Sequence, residues 1–319
     1  MLKWTDPSWR NDAEAWIRER VADAGYSLVA PLEHAHVRPW GTAIRVPTDQ
    51  GVLWFKANIP PLAYEVPLTL EIAARRPDCV PRIVAADARR GWLLLEDSGA
   101  IVADLYDGEP PLEVWEALLP MYAQLQIDVA PAAPVLVAAG VPDRGLPNLI
   151  AGLRRVLEND RLVRPAADAA LTDDELEQLH ALTPQLEEAI ETLAALELPD
   201  SVHHDDVHQW NVCVRDGAYR IIDWGDACIG HPLLSLWVPI EHMEAEYVEA
   251  ARGAYLEPWT ALRAYDDLVA ACDAALLTAQ ITGVLKWELI TSALSDEERG
   301  SYLDVVPQRL RCLLELACA

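Results

Sequence analysis

The sequence predicts an α+β protein of two lobes, with an antiparallel sheet in the N-terminal lobe and a mainly helical C-terminal lobe. Three observations support this fold class. Short strand-like runs separated by turns dominate the chain up to Gly99, and helical periodicity dominates after it. A single hairpin pattern, NVCVRDGAYRIIDW at 211–224, interrupts the helical part. We therefore predict lobes at 1–99 and 100–319, with a ligand cleft between them.

The N-terminal lobe begins with an amphipathic pattern at 12–24, which predicts a helix that stops at Gly25. A second helix is predicted at 62–76, with Pro67 in its first turn. Alternating apolar residues bounded by turn residues predict strands around these helices. The strand-like runs are YSLVAPLEHAHV, TAIRVP, GVLWFKAN, PRIVAADA and GWLLLED.

The C-terminal lobe carries helical periodicity at 111–128, 146–159 and 173–196. A strongly apolar segment at 263–294 predicts one or two buried helices. Two sequence pairs have the pattern of capping boxes, namely Thr172 with Glu175 and Ser295 with Glu298. In the hairpin pattern, the dipeptide Asp216-Gly217 predicts the turn.

Composition limits the classes of partner. The chain has 319 residues and a formal net charge of -26, which argues against a nucleic-acid binder or a protein of anionic membrane surfaces. A cationic small substrate would be attracted, although solubility alone is the better account of the acidity. No apolar run reaches the length of a membrane span, and the N-terminus lacks the apolar core of a signal peptide. Six scattered cysteines are typical of reduced thiols in a cytoplasmic protein.

The stretch SVHHDDVHQWNV at 201–212 has two interpretations. In the first, His204 and His208 have the i, i+4 spacing of a zinc site on a helix. However, Pro199 precedes the stretch and a hairpin follows it, so a long helix is not expected. A metal-dependent hydrolase would also need ligands elsewhere that cannot be assigned, and it stays the least favoured alternative.

In the second interpretation, the stretch is the catalytic loop of a phosphoryl transferase. His204, Asp206 and Asn211 form the pattern H-x-D-x-x-x-x-N, and Asp223 follows the second strand of the hairpin. Transfer to a hydroxyl needs one carboxylate to orient it, while a second carboxylate and an amide hold Mg²⁺ against the triphosphate. A loop followed by a tight hairpin would bring Asp206, Asn211 and Asp223 together.

Lysine is rare in this chain, which contains only Lys3, Lys56 and Lys286. Lys56 lies in LWFKAN, at the end of a predicted strand, where a kinase lysine reaches the nucleotide phosphates. A nearby helical glutamate would orient it, and Glu65 and Glu71 are the candidates.

These motifs resemble the aminoglycoside phosphotransferase-like family of small-molecule kinases, which has a protein-kinase-like fold. The resemblance extends across nearly the whole chain and rests on four segments: LWFKAN, GWLLLEDSG at 91–99, HDDVHQWN at 204–211 and IIDWGDACIGHP at 221–232. It implies that Asp206 is the catalytic aspartate and that Asn211 and Asp223 hold Mg²⁺. It also implies that the lobe at 1–99 binds the nucleotide.

The resemblance further implies the roles of the N-terminal residues. Lys56 would bind phosphate, with Glu65 preferred as its partner by family position. In the loop RPWGTAIRV, Thr42 or backbone amides would meet phosphate, and the hinge from Glu96 to Gly99 would meet adenine through its backbone.

Several positions depart from the family pattern. The loop before the second strand has a single glycine, Gly41, and Asp205 stands where many relatives have glycine. An aspartate is common in the family where His231 or Ser235 stands here. The bulky Trp210 directly precedes Asn211 and has no explanation at this level.

The expected activity is transfer of the γ-phosphoryl group of ATP, or of GTP, to a hydroxyl of a small molecule, with Mg²⁺ as cofactor. An antibiotic and a metabolite are both possible acceptors, which would bind over the C-terminal lobe. The sequence does not determine the oligomeric state. A nucleotide-binding pseudokinase that regulates a partner is the principal alternative.

Overall fold

The N-terminal part of the chain forms a five-stranded antiparallel sheet with the order β1-β2-β3-β5-β4. The computed structural model describes residues 2–165 and 169–318. The five strands are β1 (Glu33–Arg38), β2 (Gly41–Thr48), β3 (Gly51–Asn58), β4 (Ile83–Asp87) and β5 (Trp92–Glu96). The helices of this part are α1 (Pro7–Asp23) and α2 (Glu65–Arg75).

Helix α1 packs on the sheet through tryptophans. Trp16 lies 5.7 Å from Phe55 and 5.6 Å from Trp92, measured between ring centroids. The helix begins five residues before the predicted start, because Asp6 accepts hydrogen bonds from two backbone amides and a proline occupies the first helical position. The predicted strand at 26–37 was too long, since only Glu33–Arg38 is extended within the sheet.

The remainder of the chain is mainly helical and contains two small sheets. The three-stranded sheet has the order β6-β8-β9, and the two-stranded sheet pairs β7 with β10. These strands are β6 (Ala100–Ile101), β7 (Ser201–His203), β8 (Val212–Arg215), β9 (Ala218–Ile221) and β10 (Cys228–Gly230). The α-helices are α3 (Leu112–Val129), α4 (Ala133–Ala138), α5 (Leu146–Leu157), α6 (Asp160–Val163), α7 (Asp173–Ala181), α8 (Thr183–Ala194), α9 (Trp237–Glu241), α10 (Val248–Leu256), α11 (Tyr265–Ala270), α12 (Cys272–Ala293), α13 (Asp296–Arg299) and α14 (Val305–Cys318).

The structure confirms the predicted fold class, because an antiparallel sheet is followed by a mainly helical part. The hairpin is also confirmed, and its two turn residues, Asp216 and Gly217, have φ of 53° and 76° as a type I′ turn requires. Both predicted capping boxes are present. The segments at 173–196 and 263–294 each divide into two helices. Within the described residues, no helix has the length and apolarity to cross a membrane.

Helix α12 is the central helix of the C-terminal part. It is buried along most of its length and packs against α5, α8 and α14 and against the turn at 232–236. One lysine, Lys286, lies within this mostly apolar helix and is buried. The helix therefore carries a charged group into the interior beside the loop at 203–211.

Candidate active site

Strand β3 and helix α2 bring Lys56 and Glu65 together. Lys56 Nζ donates to Glu65 Oε1 at 2.6 Å, and it also donates to Asp223 Oδ1 at 2.5 Å. Glu65 is buried in the first turn of α2, where Asn58 donates to its other oxygen. The alternative glutamate, Glu71, instead pairs with Arg75 one turn along the helix. Of the two candidates, the structure places Glu65 at the lysine.

The charges of this cluster are mutually dependent. Burial raises the pKa of the Glu65 carboxyl above its ordinary value, against the influence of the Lys56 ammonium. Burial alone would lower the pKa of Lys56, but Asp223 and Glu65 outweigh it and hold that pKa above its usual range. Lys56 is therefore a fixed cation between two carboxylates.

The loop at 203–211 fixes the Asp206 carboxylate beside Asn211. The Asn211 amide nitrogen donates to the Asp206 carbonyl and to its Oδ2, both at 2.9 Å. His208 Nδ1 accepts from the Trp210 backbone at 3.2 Å, so Nε2 carries the ring hydrogen, and Nε2 lies 3.3 Å from Asp206 Oδ2. Partial burial raises the pKa of Asp206, but Lys286 and His208 outweigh it and hold the pKa well below its usual range.

Asp205 performs a different task from its neighbour. Its φ of 62° lies in the left-handed region, which explains why glycine suits this position. The carboxylate is fully buried and accepts from Arg144 at 3.3 Å, from Thr282 at 3.0 Å and from His203 at 3.1 Å. These contacts compensate for the strained backbone, and they anchor the loop.

The histidines of this stretch do not share a metal site. His203 contacts Ser235 and Asp205, while His204 Nε2 lies 3.0 Å from the Ile222 carbonyl. Burial lowers the pKa of His204 to about 4, so its ring is neutral and donates from Nε2. Among the described residues, no three His, Cys, Asp or Glu side chains are arranged to hold a metal ion.

The ends of the hairpin meet as predicted. The Ile222 amide donates to the Asn211 carbonyl at 2.9 Å, which places Asp223 next to the loop at 203–211. Asp223 has φ of 64° and starts the turn that contains Asp226. Burial and neighbouring carboxylates raise the pKa of Asp226 to about 6, and Lys286 Nζ lies 3.3 Å from its Oδ2.

A cavity of about 490 Å³ lies between the sheet and the hairpin. Lys56, Glu65, Thr42, Glu96 and Asp223 line it together. The Thr42 hydroxyl is committed to the His36 carbonyl at 2.8 Å. The Glu96 carboxylate accepts from Tyr26 and Arg82, and its amide donates to the Arg82 carbonyl at 2.9 Å. Neither that amide nor the Thr42 hydroxyl is free in this structure.

A sequence profile decides the family. The profile of APH, the phosphotransferase enzyme family, matches residues 60–268, which is well over half of the chain. The chain belongs to this family. The matched part of the phosphotransferase contains Glu65, the loop at 203–211 and Asp223, while Lys56 lies four residues before it. No curated protein sequence matches the chain at a significant level.

Solved structures agree in fold. The GDP and kanamycin complex of APH(2")-IIia is 17% identical, with a TM-score of 0.58 over 96% of this chain and 98% of that one. Macrolide 2'-phosphotransferase MphH from Brachybacterium faecium is 17% identical, with a TM-score of 0.60 over 93% and 97%. Choline kinase LicA from Streptococcus pneumoniae is 13% identical, with a TM-score of 0.61 over 96% and 98%. The predicted bilobal protein-kinase-like fold is thereby confirmed, and family and fold together support a small-molecule phosphotransferase.

Sequence reasoning missed three residues of this site: Lys286, Arg144 and Thr282. Each reaches the loop at 203–211 from a distant helix or loop. One signal for Lys286 was available, namely a lone lysine in a buried helical segment of a chain with three lysines. Arg144 and Thr282 carry no such signal, since arginine and threonine are ordinary in their segments.

Proposed function

We propose that this phosphotransferase transfers the γ-phosphoryl group of ATP to a hydroxyl of a small molecule and requires Mg²⁺. The observation that carries the proposal is the position of Lys56, bonded to both Glu65 and Asp223 at the wall of the cavity. A strand lysine paired with a helical glutamate, as in Lys56–Glu65, is the arrangement that phosphoryl transferases of the kinase type use to meet phosphates. The Asp206–Asn211 pair lies on the adjoining loop.

The donor set suits a magnesium ion. Both hydrogens of the Asn211 amide point at Asp206, so its oxygen remains as an acceptor for a cation. The Asp223 side chain is 56% exposed and supplies the anionic oxygen that Mg²⁺ prefers. In this proposal Asn211 and Asp223 would hold the ion, which would supply positive charge to offset that of the phosphate oxygens.

The nucleotide is assigned to the cavity and to the lobe at 1–99. Lys56, oriented by Glu65, would bind its phosphates, and GTP is an alternative donor. The turn between β1 and β2, with the start of β2 at Gly41 and Thr42, would cover the phosphates through backbone groups. The segment from Glu96 to Gly99 lines the cavity where the base would lie, and its backbone would meet the base.

The acceptor is assigned to the C-terminal lobe at 100–319, where Asp206 would orient its hydroxyl and take its proton. Structural neighbours include a kanamycin complex and a choline kinase. An amine-bearing acceptor is consistent with the net charge of -26, which attracts cations.

The first experiment is a thermal-shift titration with ATP and GTP, each with and without Mg²⁺. A nucleotide at about one hundred times its Kd stabilises a protein by roughly 2.7 kcal/mol, so the Tm should rise clearly. Asp223→Ala should remove most of the Mg²⁺-dependent part of the rise, because the cation loses its anionic ligand. No shift from either nucleotide at millimolar concentration would contradict the proposal.

Turnover is then measured as ADP release over a panel of aminoglycosides, macrolides, amino alcohols and sugars. Faster ADP release in the presence of one class, with phosphate found on that compound, would identify the acceptor. Nucleotide binding without turnover on any compound would favour the pseudokinase alternative instead.

A further inference from the structure

Lys286 is a buried cation beneath the catalytic loop. It lies on α12 between Leu285 and Trp287 and is only 5% exposed. Burying an ammonium group is costly unless its charge and its hydrogens are satisfied. Its partners therefore indicate what it does.

Three protein oxygens surround the Lys286 ammonium, two as hydrogen-bond acceptors and one as an ion-pair partner. Nζ lies 2.9 Å from the Asp205 carbonyl, 3.3 Å from Asp206 Oδ1 and 3.3 Å from Asp226 Oδ2. The ammonium is buried among these protein groups, and Lys286 is not among the residues that line the cavity. Lys286 consequently acts on a substrate only through the groups that it holds.

The Asp206 carboxylate is held from both sides. Lys286 contacts Oδ1, while Asn211 donates to Oδ2 at 2.9 Å. A carboxylate held at both oxygens cannot rotate freely. The orientation of its remaining lone pairs is therefore fixed relative to the loop. Without Lys286, only the Oδ2 side would be restrained.

Helix α12 holds two consecutive residues of the loop. Thr282 lies one turn before Lys286, on the same face of the helix, and donates to Asp205 Oδ1 at 3.0 Å. Thr282 thus anchors the buried aspartate, and Lys286 anchors the partly exposed one. Neither interaction involves Lys56 or the wall of the nucleotide cavity.

We propose that Lys286 is a positioning residue for phosphoryl transfer, which aims the Asp206 carboxylate at the acceptor hydroxyl from α12. This inference rests on the proposed function and adds to it a residue outside the nucleotide cavity. It distinguishes Lys286 from Lys56, since Lys56 would bind phosphates and Lys286 would bind only protein groups.

The test compares Lys286→Met, Lys286→Arg and the control Glu288→Gln. Glu288 lies on the same helix and pairs with Arg155, 2.7 Å away, on the outer side. For each protein the Kd of Mg·ATP is measured by calorimetry, and ADP release is measured with water as the phosphoryl acceptor. This probe is available before the natural acceptor is known.

A misplacement of about 1 Å can cost roughly 100-fold in rate. We therefore expect Lys286→Met to lower kcat by about 10- to 100-fold while the Kd of Mg·ATP changes less than about threefold. Lys286→Arg should have a kcat between those of Lys286→Met and the wild type, because arginine keeps the positive charge but places it at a different distance from the helix. Glu288→Gln should match the wild type.

Lys286→Met leaves two carboxylates without their cation, and the protein could fail to fold. The double variant Lys286→Met/Asp226→Asn removes one of these charges and provides a folded comparison. A folded variant with wild-type kcat would overturn the inference, and so would a loss of Mg·ATP affinity as large as the loss of rate. A wild-type protein that neither binds Mg·ATP nor releases ADP would instead overturn the proposed function, and this inference with it.

Discussion

Two adjacent aspartates in the proposed catalytic loop, Asp205 and Asp206, have different surroundings. The Asp205 carboxylate is completely buried and paired with Arg144, whereas the Asp206 side chain is 33% exposed. The left-handed backbone at Asp205 turns the two side chains apart. One residue can therefore meet a substrate while its neighbour stabilises the loop.

Asp206→Asn should separate chemistry from nucleotide binding. The change keeps the size of the side chain and removes its negative charge and its ability to accept a proton. Positioned acid–base groups contribute about 10²–10⁴-fold in rate, so turnover should fall by that order. The Kd of Mg·ATP, measured by calorimetry, should change little because Lys56, Asn211 and Asp223 remain.

Asp205→Asn is the matched control, since the same charge is lost one residue away. It weakens the buried contact with Arg144, and we expect a lower Tm with a smaller effect on the rate of the folded protein. If Asp205→Asn abolished turnover and Asp206→Asn did not, the assignment of the catalytic aspartate would be wrong.

At the scale of elements, one strand and one helix create the Lys56–Glu65 pair. β3 lies between β2 and β5, so its backbone is held on both sides and the position of Lys56 is fixed. Glu65 is the first residue of α2, where the helix dipole favours a negative charge. Pro67 follows within the first turn, where its missing amide hydrogen has no helical partner to lose.

Glu65→Gln should weaken nucleotide binding. With Glu65 neutral, Lys56 keeps only its contact with the charged Asp223. The ammonium would then be drawn toward Asp223, the proposed metal ligand, and away from the phosphates. Hydrogen bonds to charged groups contribute about 1.5–3 kcal/mol, so we expect the Kd of Mg·ATP to rise roughly tenfold or more.

Glu71→Gln provides the control on the same helix. Glu71 pairs with Arg75, 2.7 Å away, and neither residue lines the cavity. The Glu71→Gln variant should bind Mg·ATP with the Kd of the wild type. Similar Kd values for both variants would remove Glu65 from the proposed nucleotide site.

At the scale of the whole molecule, an aromatic cluster joins the sheet to the helical part. Trp40 lies in the turn between β1 and β2 and lines the cavity. Its ring centroid is 5.6 Å from that of Trp287 on α12 and 4.9 Å from that of Tyr302. Trp287 directly follows Lys286, so α12 contacts both the turn between β1 and β2 and the loop at 203–211.

Trp40→Ala should loosen the turn over the nucleotide. Each aromatic pair contributes about 0.5–1.5 kcal/mol beyond area burial, so losing two pairs should lower the Tm by several degrees and speed nucleotide release several-fold. Release is measured by stopped-flow fluorescence with a labelled nucleotide. Tyr302→Phe keeps the ring and should behave as the wild type, whereas an unchanged release rate in Trp40→Ala would contradict this account.

The sequence by itself determined the fold class, the hairpin at 212–221 and the segment that carries Asp206 and Asn211. These features depend on periodicity and on spacings of a few residues, and both are set by local backbone geometry. The Asp216-Gly217 turn is an example, because its positive φ values follow directly from the residue types. The strand lysine was found for a related reason, since a charge within an apolar strand is rare.

Only the tertiary structure decided which distant residues support that loop. Lys286 contacts Asp206 across 80 residues of sequence, and Thr282 contacts Asp205 across 77. The choice of Glu65 over Glu71 likewise depended on which face of α2 meets the sheet. Such contacts arise from the packing of helices against one another, and no local pattern specifies which side chains that packing brings together.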